Sequence, residues 1–262
     1  MRAVITALRR VVALLALPVI LLLVWWFASA DSRTPAMPPL KRILGVLPDT
    51  WFGERLTGDV LPSLIRLTEG YLAALVIGIV AGVAIGSSRP VRLFVEPVLE
   101  FLRAIPPPAL VPILFLIAGI GDTTKVLVII AGCVWPILLN TVEGVRGVDP
   151  VLVDTCRTYR VSGLLRLRTF VLRSASPQIV TGARQALSVG IILMVISELK
   201  ASTDGLGYTF EQFQTRFQYP QMWSGVLILG LIGVALSLLF RFVESRVLAW
   251  HRGLRAAERT SL

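Results

Sequence analysis

What most constrains this chain is the recurrence of apolar stretches close to the length a helix needs to cross a bilayer. Crossing a hydrocarbon core of about 30 Å takes roughly 20 predominantly apolar residues. Six segments meet or approach that length, at about Val11 to Ala30, Leu67 to Gly86, Ala104 to Ile120, Val126 to Thr141, Ile179 to Glu198 and Met222 to Leu248. Hydrophobic residues make up 55% of the 262 positions, above the ~45–50% typical of soluble domains. The expected fold is an all-α integral membrane protein of six transmembrane helices, with residues 1–262 forming a single transmembrane domain.

Orientation follows from arginine in the short connections, because the cytoplasmic side of a membrane protein carries the excess of Lys and Arg. With an even number of spans, both termini share one side. That side then holds Arg2, Arg9 and Arg10, then Arg89, Arg92 and Arg103, the arginine-rich stretch from Arg146 to Arg173, and the tail from Arg241 to Arg259. The opposite side holds fewer cations, among them Lys41, Arg42, Arg55 and Lys125. Both termini are therefore expected in the cytoplasm. The net charge of +10 reads as this asymmetry plus attraction to anionic headgroups, not as a nucleic-acid surface.

Arg9, Arg10, the apolar run and Ala28-Ser29-Ala30 also have the form of a secretory signal. The run exceeds the 7 to 15 residues usual for such signals, and cleavage would leave an odd number of spans. Cys133 within a span and Cys156 in a connection form neither a metal-binding nor a redox spacing.

Between the first two spans, residues 31–62 form an external amphipathic segment punctuated by Pro35, Pro38, Pro39 and Pro48. Within it Leu40, Ile43, Leu44 and Leu47 recur at helical spacing opposite Lys41 and Arg42, the pattern of a short helix lying on the membrane. Gly78, Gly82 and Gly86 stand four apart, which lets helix backbones approach closely in lipid. Pro106, Pro107, Pro108 and Pro112 interrupt the third span, whose freed backbone groups need partners from neighbouring helices or water.

The cytoplasmic loop, residues 144–178, carries the densest local signals. Asp149 suits an N-cap, Pro150 the first helical position and Gly163 the residue past the end, which predicts a helix from Pro150 to Ser162. Leu152, Cys156 and Tyr159 share one face of it. A second helix is expected from Leu164 towards Ser174, with Leu164, Leu167 and Val171 as its apolar stripe. By periodicity alone these are surface helices paving the membrane.

The stretch Asp154-Thr155-Cys156-Arg157-Thr158-Tyr159-Arg160, followed by Val171-Leu172-Arg173, resembles the E-A-A-x-x-x-G and I-x-L-P signature of binding-protein-dependent ABC importer permeases. Asp replaces Glu, Thr155 and Cys156 replace the alanines, Arg160 replaces Gly and Arg173 replaces Pro. Further similarities run in order from about Ala36 to Phe240: Ser63-Leu64-Ile65-Arg66, Ile105-Pro106 through Pro112, Trp135-Pro136 with Asn140-Thr141 and Gly144, Pro177 with Thr181-Gly182-Ala183-Arg184, and Glu198 followed by Gly205-Leu206-Gly207-Tyr208. This register is similar to the nitrate, taurine and aliphatic sulfonate branch.

The resemblance implies a non-catalytic permease subunit of type I importer architecture in a bacterial cytoplasmic membrane. Its implied partners are a second permease copy, identical or not, two cytoplasmic ATPases and an external solute-binding protein. Asp154, Thr155, Cys156, Arg157, Tyr159, Arg160 and Gly163 would form the surface that couples to the ATPase. ATP and Mg would sit on the partner subunits, with no cofactor on this chain. Consistently, none of the lysines Lys41, Lys125 and Lys200 lies in a P-loop pattern.

For the pathway, polar residues at membrane depth are the candidates, namely Asn140, Arg184, Ser188, Ser197 and Glu198. The expected solute is a small sulfonate, taurine, nitrate or a related organic anion, with a vitamin precursor as the alternative. A channel or passive membrane protein would explain the spans but not the punctuated cytoplasmic helices. An intramembrane enzyme finds little support, since His251 in the C-terminal tail is the single histidine.

Overall fold

The computed structural model describes residues 16–17, 19–32, 34–199 and 202–250, with the side chains of Pro150 and Arg157 outside that description. Among the described residues every regular element is a helix. Residues 11–15 and 18 of the expected first span lie outside them, and Val19–Ser29 forms α1. There follow α2 (Leu40–Trp51), a π-helical turn (Leu56–Val60) leading into α3 (Leu61–Gly86), α4 (Arg89–Ala104), α5 (Pro107–Ala118) and α6 (Asp122–Arg146). Then come α7 (Pro150–Thr158), α8 (Gly163–Arg166), a second π-helical turn (Leu167–Val171), α9 (Leu172–Leu199), α10 (Leu206–Thr215) and α11 (Tyr219–Val247).

α6 is the spine. On one side it receives α3 through a column of glycines that leaves no room for side chains. A Cβ on Gly70 would come 2.7 Å from Ile129 Cβ, one on Gly78 2.8 Å from Ile137 Cγ2, and one on Gly82 2.6 Å from Thr141 Cβ. At each step the partner advances with the glycine, so α3 and α6 run parallel. On the other side, Gly182 of α9 meets the Pro136 carbonyl and Gly190 meets Cys133. There the partner number falls as the glycine number rises, so α9 runs antiparallel to α6. With no hydrophobic force between helices in lipid, such close backbone contact is what holds them.

Parallel α3 and α6 have a topological consequence. The chain leaves α3 at Gly86 and must return to the opposite end to begin α6 at Asp122, so α4 and α5 together make one crossing. The two helices are bent by 91° at Ile105-Pro106. Ile105 is extended, with ψ 119°, as a residue before proline prefers, and Pro107 and Pro108 open α5. The expected third span from Ala104 is therefore a short helix from Pro107 preceded by an amphipathic helix with no buried residue, which the hydrophobic pattern did not reveal.

Other expectations shift in similar ways. The helix expected from Leu164 to Ser174 and the span expected from Ile179 are one continuous helical stretch, Gly163–Leu199. The external helix at Leu40 does not lie free on a membrane surface but docks on α11. Leu40, Ile43 and Trp51 are buried, and Trp51 Nε1 donates to Ser224 Oγ at 2.8 Å. Ser29, within the signal-like Ala28-Ser29-Ala30, accepts the Leu40 N–H at 3.1 Å and so fixes α2 to the end of α1. Trp25 of α1 meets Trp223 of α11 edge-on at 5.6 Å.

The glycine column yields a specific outcome. Gly82→Leu should destabilise the protein by about 1–3 kcal/mol through overpacking. Gly230→Leu, where nothing lies within 4 Å of an added Cβ, should leave thermal unfolding in detergent unchanged.

Candidate functional site

Two ends of the bundle and one face between them carry the expected functional residues. At the end where α3 and α6 begin, Glu198 is fully buried. Arg66 Nη1 donates to its Oε1 at 2.9 Å, and the Gly207 N–H, in the first turn of α10, donates to Oε2 at 3.0 Å. Ser63 Oγ stands 2.7 and 2.8 Å from the two carboxylate oxygens and itself accepts the Leu206 N–H at 2.9 Å. The carboxylate thus draws the N-terminus of α10 onto α3 and α9, where the helix dipole also favours an anion.

Alternate glycines make that approach feasible. Gly205 has φ +107°, and a Cβ there would strike the Glu198 carboxyl at 2.5 Å. A Cβ on Gly207 would meet the Val195 carbonyl at 2.5 Å, while Leu206 between them is buried. The pattern Gly205-Leu206-Gly207 is therefore the backbone's fit over Glu198.

Arg66 continues the network outward. Its Nη2 lies 2.6 Å from Asp204 Oδ1 and 2.7 Å from Asp122 Oδ1, and Lys125 Nζ lies 3.2 Å from Asp122. Asp59 accepts the Gly205 N–H at 3.2 Å. Glu198 and Ser197, which the sequence suggested as pathway residues, are buried and satisfied. Ser197 Oγ donates to the Met194 carbonyl at 2.9 Å.

The other pathway candidates sit elsewhere. Thr181, Gln185 and Ser188 of α9 are exposed at helical spacing. Asn140 of α6 reaches this stripe, its Nδ2 lying 3.3 Å from Gln185 Oε1. Arg184 points instead to α11, where it pairs with Glu244 and lies 6.0 Å from the centre of the Phe240 ring. Gln185 was not among the expected pathway residues, although its place between Arg184 and Ser188 was the available signal. Arg66 entered the sequence analysis only within Ser63-Leu64-Ile65-Arg66, although Glu198, an opposite charge at another span edge, was the signal of its role.

At the far end, α7 stops at Thr158, earlier than the expected Ser162. The residue in left-handed conformation past its end is Arg160, φ +52°, not Gly163. The Val161 N–H reaches back to the Cys156 carbonyl at 2.8 Å, the wrap of a Schellman cap, whose left-handed position glycine favours. A side chain there costs roughly 1–2 kcal/mol. Gly163, φ +58°, begins α8. Asp149 caps α7 as expected, accepting the Val151 N–H at 2.8 Å. Cys156 is buried, Tyr159 is 78% exposed, and Asp154, Thr155 and Arg160 are exposed, while the Arg157 side chain lies outside the described residues.

The chain belongs to the family described as binding-protein-dependent transport system inner membrane component, whose model matches residues 74–249. It is a multi-pass membrane subunit of a transport system and not an enzyme. It is 30% identical over 239 residues to the taurine transport system permease protein TauC of Escherichia coli (strain K12), covering 88% of this chain and 87% of that one. It is 26% identical over 238 residues to the putative aliphatic sulfonates transport permease protein SsuC of Bacillus subtilis (strain 168), covering 90% and 86%. It is 31% identical over 233 residues to the bicarbonate transport system permease protein CmpB of Synechococcus elongatus, covering 85% and 83%. Its fold is similar to that of a chain in an inward-facing MetNI methionine ABC transporter, with TM-score 0.61 and 20% identity, covering 74% of this chain and 94% of that one.

The Glu198 network predicts a clear energetic asymmetry. Arg66→Ala, which leaves a buried carboxylate without its main counter-charge, should cost about 3–5 kcal/mol. Adding Glu198→Ala should cost less than the sum of the two single changes, because the stranded charge goes with it. Thermal or denaturant unfolding in detergent measures the coupling.

Proposed function

We propose that this chain is the pathway-forming permease of an ABC importer for a small oxyanion. The sulfonate and taurine class is favoured by two of the relatives, and bicarbonate is the alternative that a third raises. It works as a pair with a second permease copy, identical or not, beside two cytoplasmic ATPases that hold ATP and Mg and an external solute-binding protein. It sits in the bacterial inner membrane with six crossings and both termini in the cytoplasm. By length and composition α3, the α4–α5 pair, α6, α9 and α11 supply up to five crossings among the described residues, and α1 is the described part of the proposed sixth.

The observation that carries the pathway reading is the stripe of Thr181, Gln185 and Ser188 with Asn140 beside it. Thr181 bonds the Pro177 carbonyl and Asn140 the Pro136 carbonyl and Gln185, but the remaining donors and acceptors of the amides and hydroxyls would be costly facing hydrocarbon, so this face is turned from lipid towards the second copy and the solute. It offers donors and acceptors without fixed charge, because Arg184 is neutralised by Glu244. Such a lining passes an anion without holding it and leaves selection to the binding protein. The Asp154 to Gly163 region at the opposite end from Glu198 is the surface that receives the ATPase stroke, biasing inward- against outward-facing states.

Proteoliposomes containing this chain, its co-purifying ATPase and its binding protein should accumulate labelled taurine or a short alkanesulfonate only with ATP inside and binding protein outside. Gln185→Leu should lower uptake by about tenfold, the size of one lost polar contact, while ATPase association stays unchanged. Accumulation of bicarbonate but no sulfonate would move the substrate class, and uptake without ATP would remove the importer reading.

A further inference from the structure

The cap of α7 combines strain with exposure. Arg160 holds the left-handed position at φ +52°, which glycine fills without steric cost. Its side chain is exposed, and among the described residues it forms no ion pair. Among the described residues no ion pair of Arg160 offsets this cost, which points to a partner outside the subunit.

The surroundings define what it meets. Tyr159 is 78% exposed, Val151 70%, Leu164 77% and Leu165 61%, with Arg168 also exposed. Aromatic and arginine side chains over an apolar patch are the composition of protein interface centres. The acidic groups nearby are already occupied. Asp149 caps α7 and Asp154 has a partner of its own.

Depth argues for a protein over a lipid headgroup. Arg173 stacks under the Trp250 ring at 5.4 Å, an aromatic and basic pairing suited to the membrane interface. Gly163 begins the same continuous helix as Arg173, and ten residues of helix place it about 15 Å further out. Tyr159 and Arg160 precede Gly163 in the chain, on the far side of it from Arg173.

We infer that Arg160 is a specificity residue for the cytoplasmic ATPase, and that the groove receiving α7 on that ATPase presents a carboxylate to it beside an apolar pocket for Tyr159. The inference rests on the transport reading and adds the chemistry of the partner. A subunit whose cap is glycine needs no such carboxylate, so the charge pair restricts which ATPase this permease accepts.

The test uses the full chain in nanodiscs and the ATPase that co-purifies with it from native membranes. Arg160→Gly should leave the melting temperature unchanged or raised, yet weaken ATPase binding about tenfold, with the loss shrinking at high salt. Arg160→Lys should retain most binding. Arg160→Glu should abolish it, with recovery when the facing carboxylate on the ATPase is changed to lysine. Equal binding by the wild type, Arg160→Gly and Arg160→Glu would overturn the inference and leave the transport reading intact. An effect present only in nanodiscs containing phosphatidylglycerol, and absent in phosphatidylcholine alone, would assign Arg160 to lipid and overturn it too. Failure of the wild-type chain to retain any ATPase would remove both readings.

Discussion

A carboxylate with no exposure to water must be neutralised where it stands, and much of this bundle's architecture at one end follows from how Glu198 meets that demand. The side chain ends α9, its counter-ion comes from α3, its second oxygen takes a backbone donor from α10, and Ser63 closes the shell. Arg66 and Ser63 come from α3 and Gly207 from α10, so the cluster fixes α3, α9 and α10 relative to one another as well as balancing charge. Arg66 then carries the constraint to Asp122 at the start of α6 and to Asp204 in the loop before α10. Buried ion pairs are seldom net stabilisers compared with apolar packing. Their value here is that α3, α6, α9 and α10 share one register.

Below this lock, contacts change character. α3, α6 and α9 approach through glycines, and the parallel run of α3 and α6 forces α4 and α5 to cross together with a sharp bend at Ile105-Pro106. The bundle is thus stiff along α6 and discontinuous beside it. Gln185 and Ser188 are exposed and Asn140 is half-buried, in contrast to Ser197 and Glu198, which are buried about three turns further along α9. The uncharged polar side chains of this face stand apart from the ionic network around Glu198 that holds the helices in register.

Most of the spans were legible from hydrophobic length, and α7 was legible from Asp149, Pro150 and the signature around Asp154. Their ends were not, because polar residues such as Asp122, Thr124 and Lys125 are absorbed into α6 by the network at its start. The α4 helix was invisible to a search for apolar runs, since Arg92, Glu96, Glu100 and Arg103 break its composition while its other face is apolar. Glu198 was noticed as an intramembrane acid, but its role depended on Arg66 and Ser63, which lie more than 130 residues away in the chain. Gly163 was taken for the cap because glycine favours that position. The chain instead places Arg160 there, which only the backbone angle reveals.

The central claim is that the exposed polar face of α9 lines a path whose access alternates with the state of the ATPase. The direct measurement places a cysteine at Ser188 in a chain whose Cys133 and Cys156 are replaced, reconstitutes the complete transporter, and follows labelling by a membrane-impermeant thiol reagent from each side. The account predicts labelling from the cytoplasmic side without ATP and from the outer side, or protection, when ATP is bound without hydrolysis. Labelling that is absent from both sides in every state, as for a lipid-facing position, would contradict it.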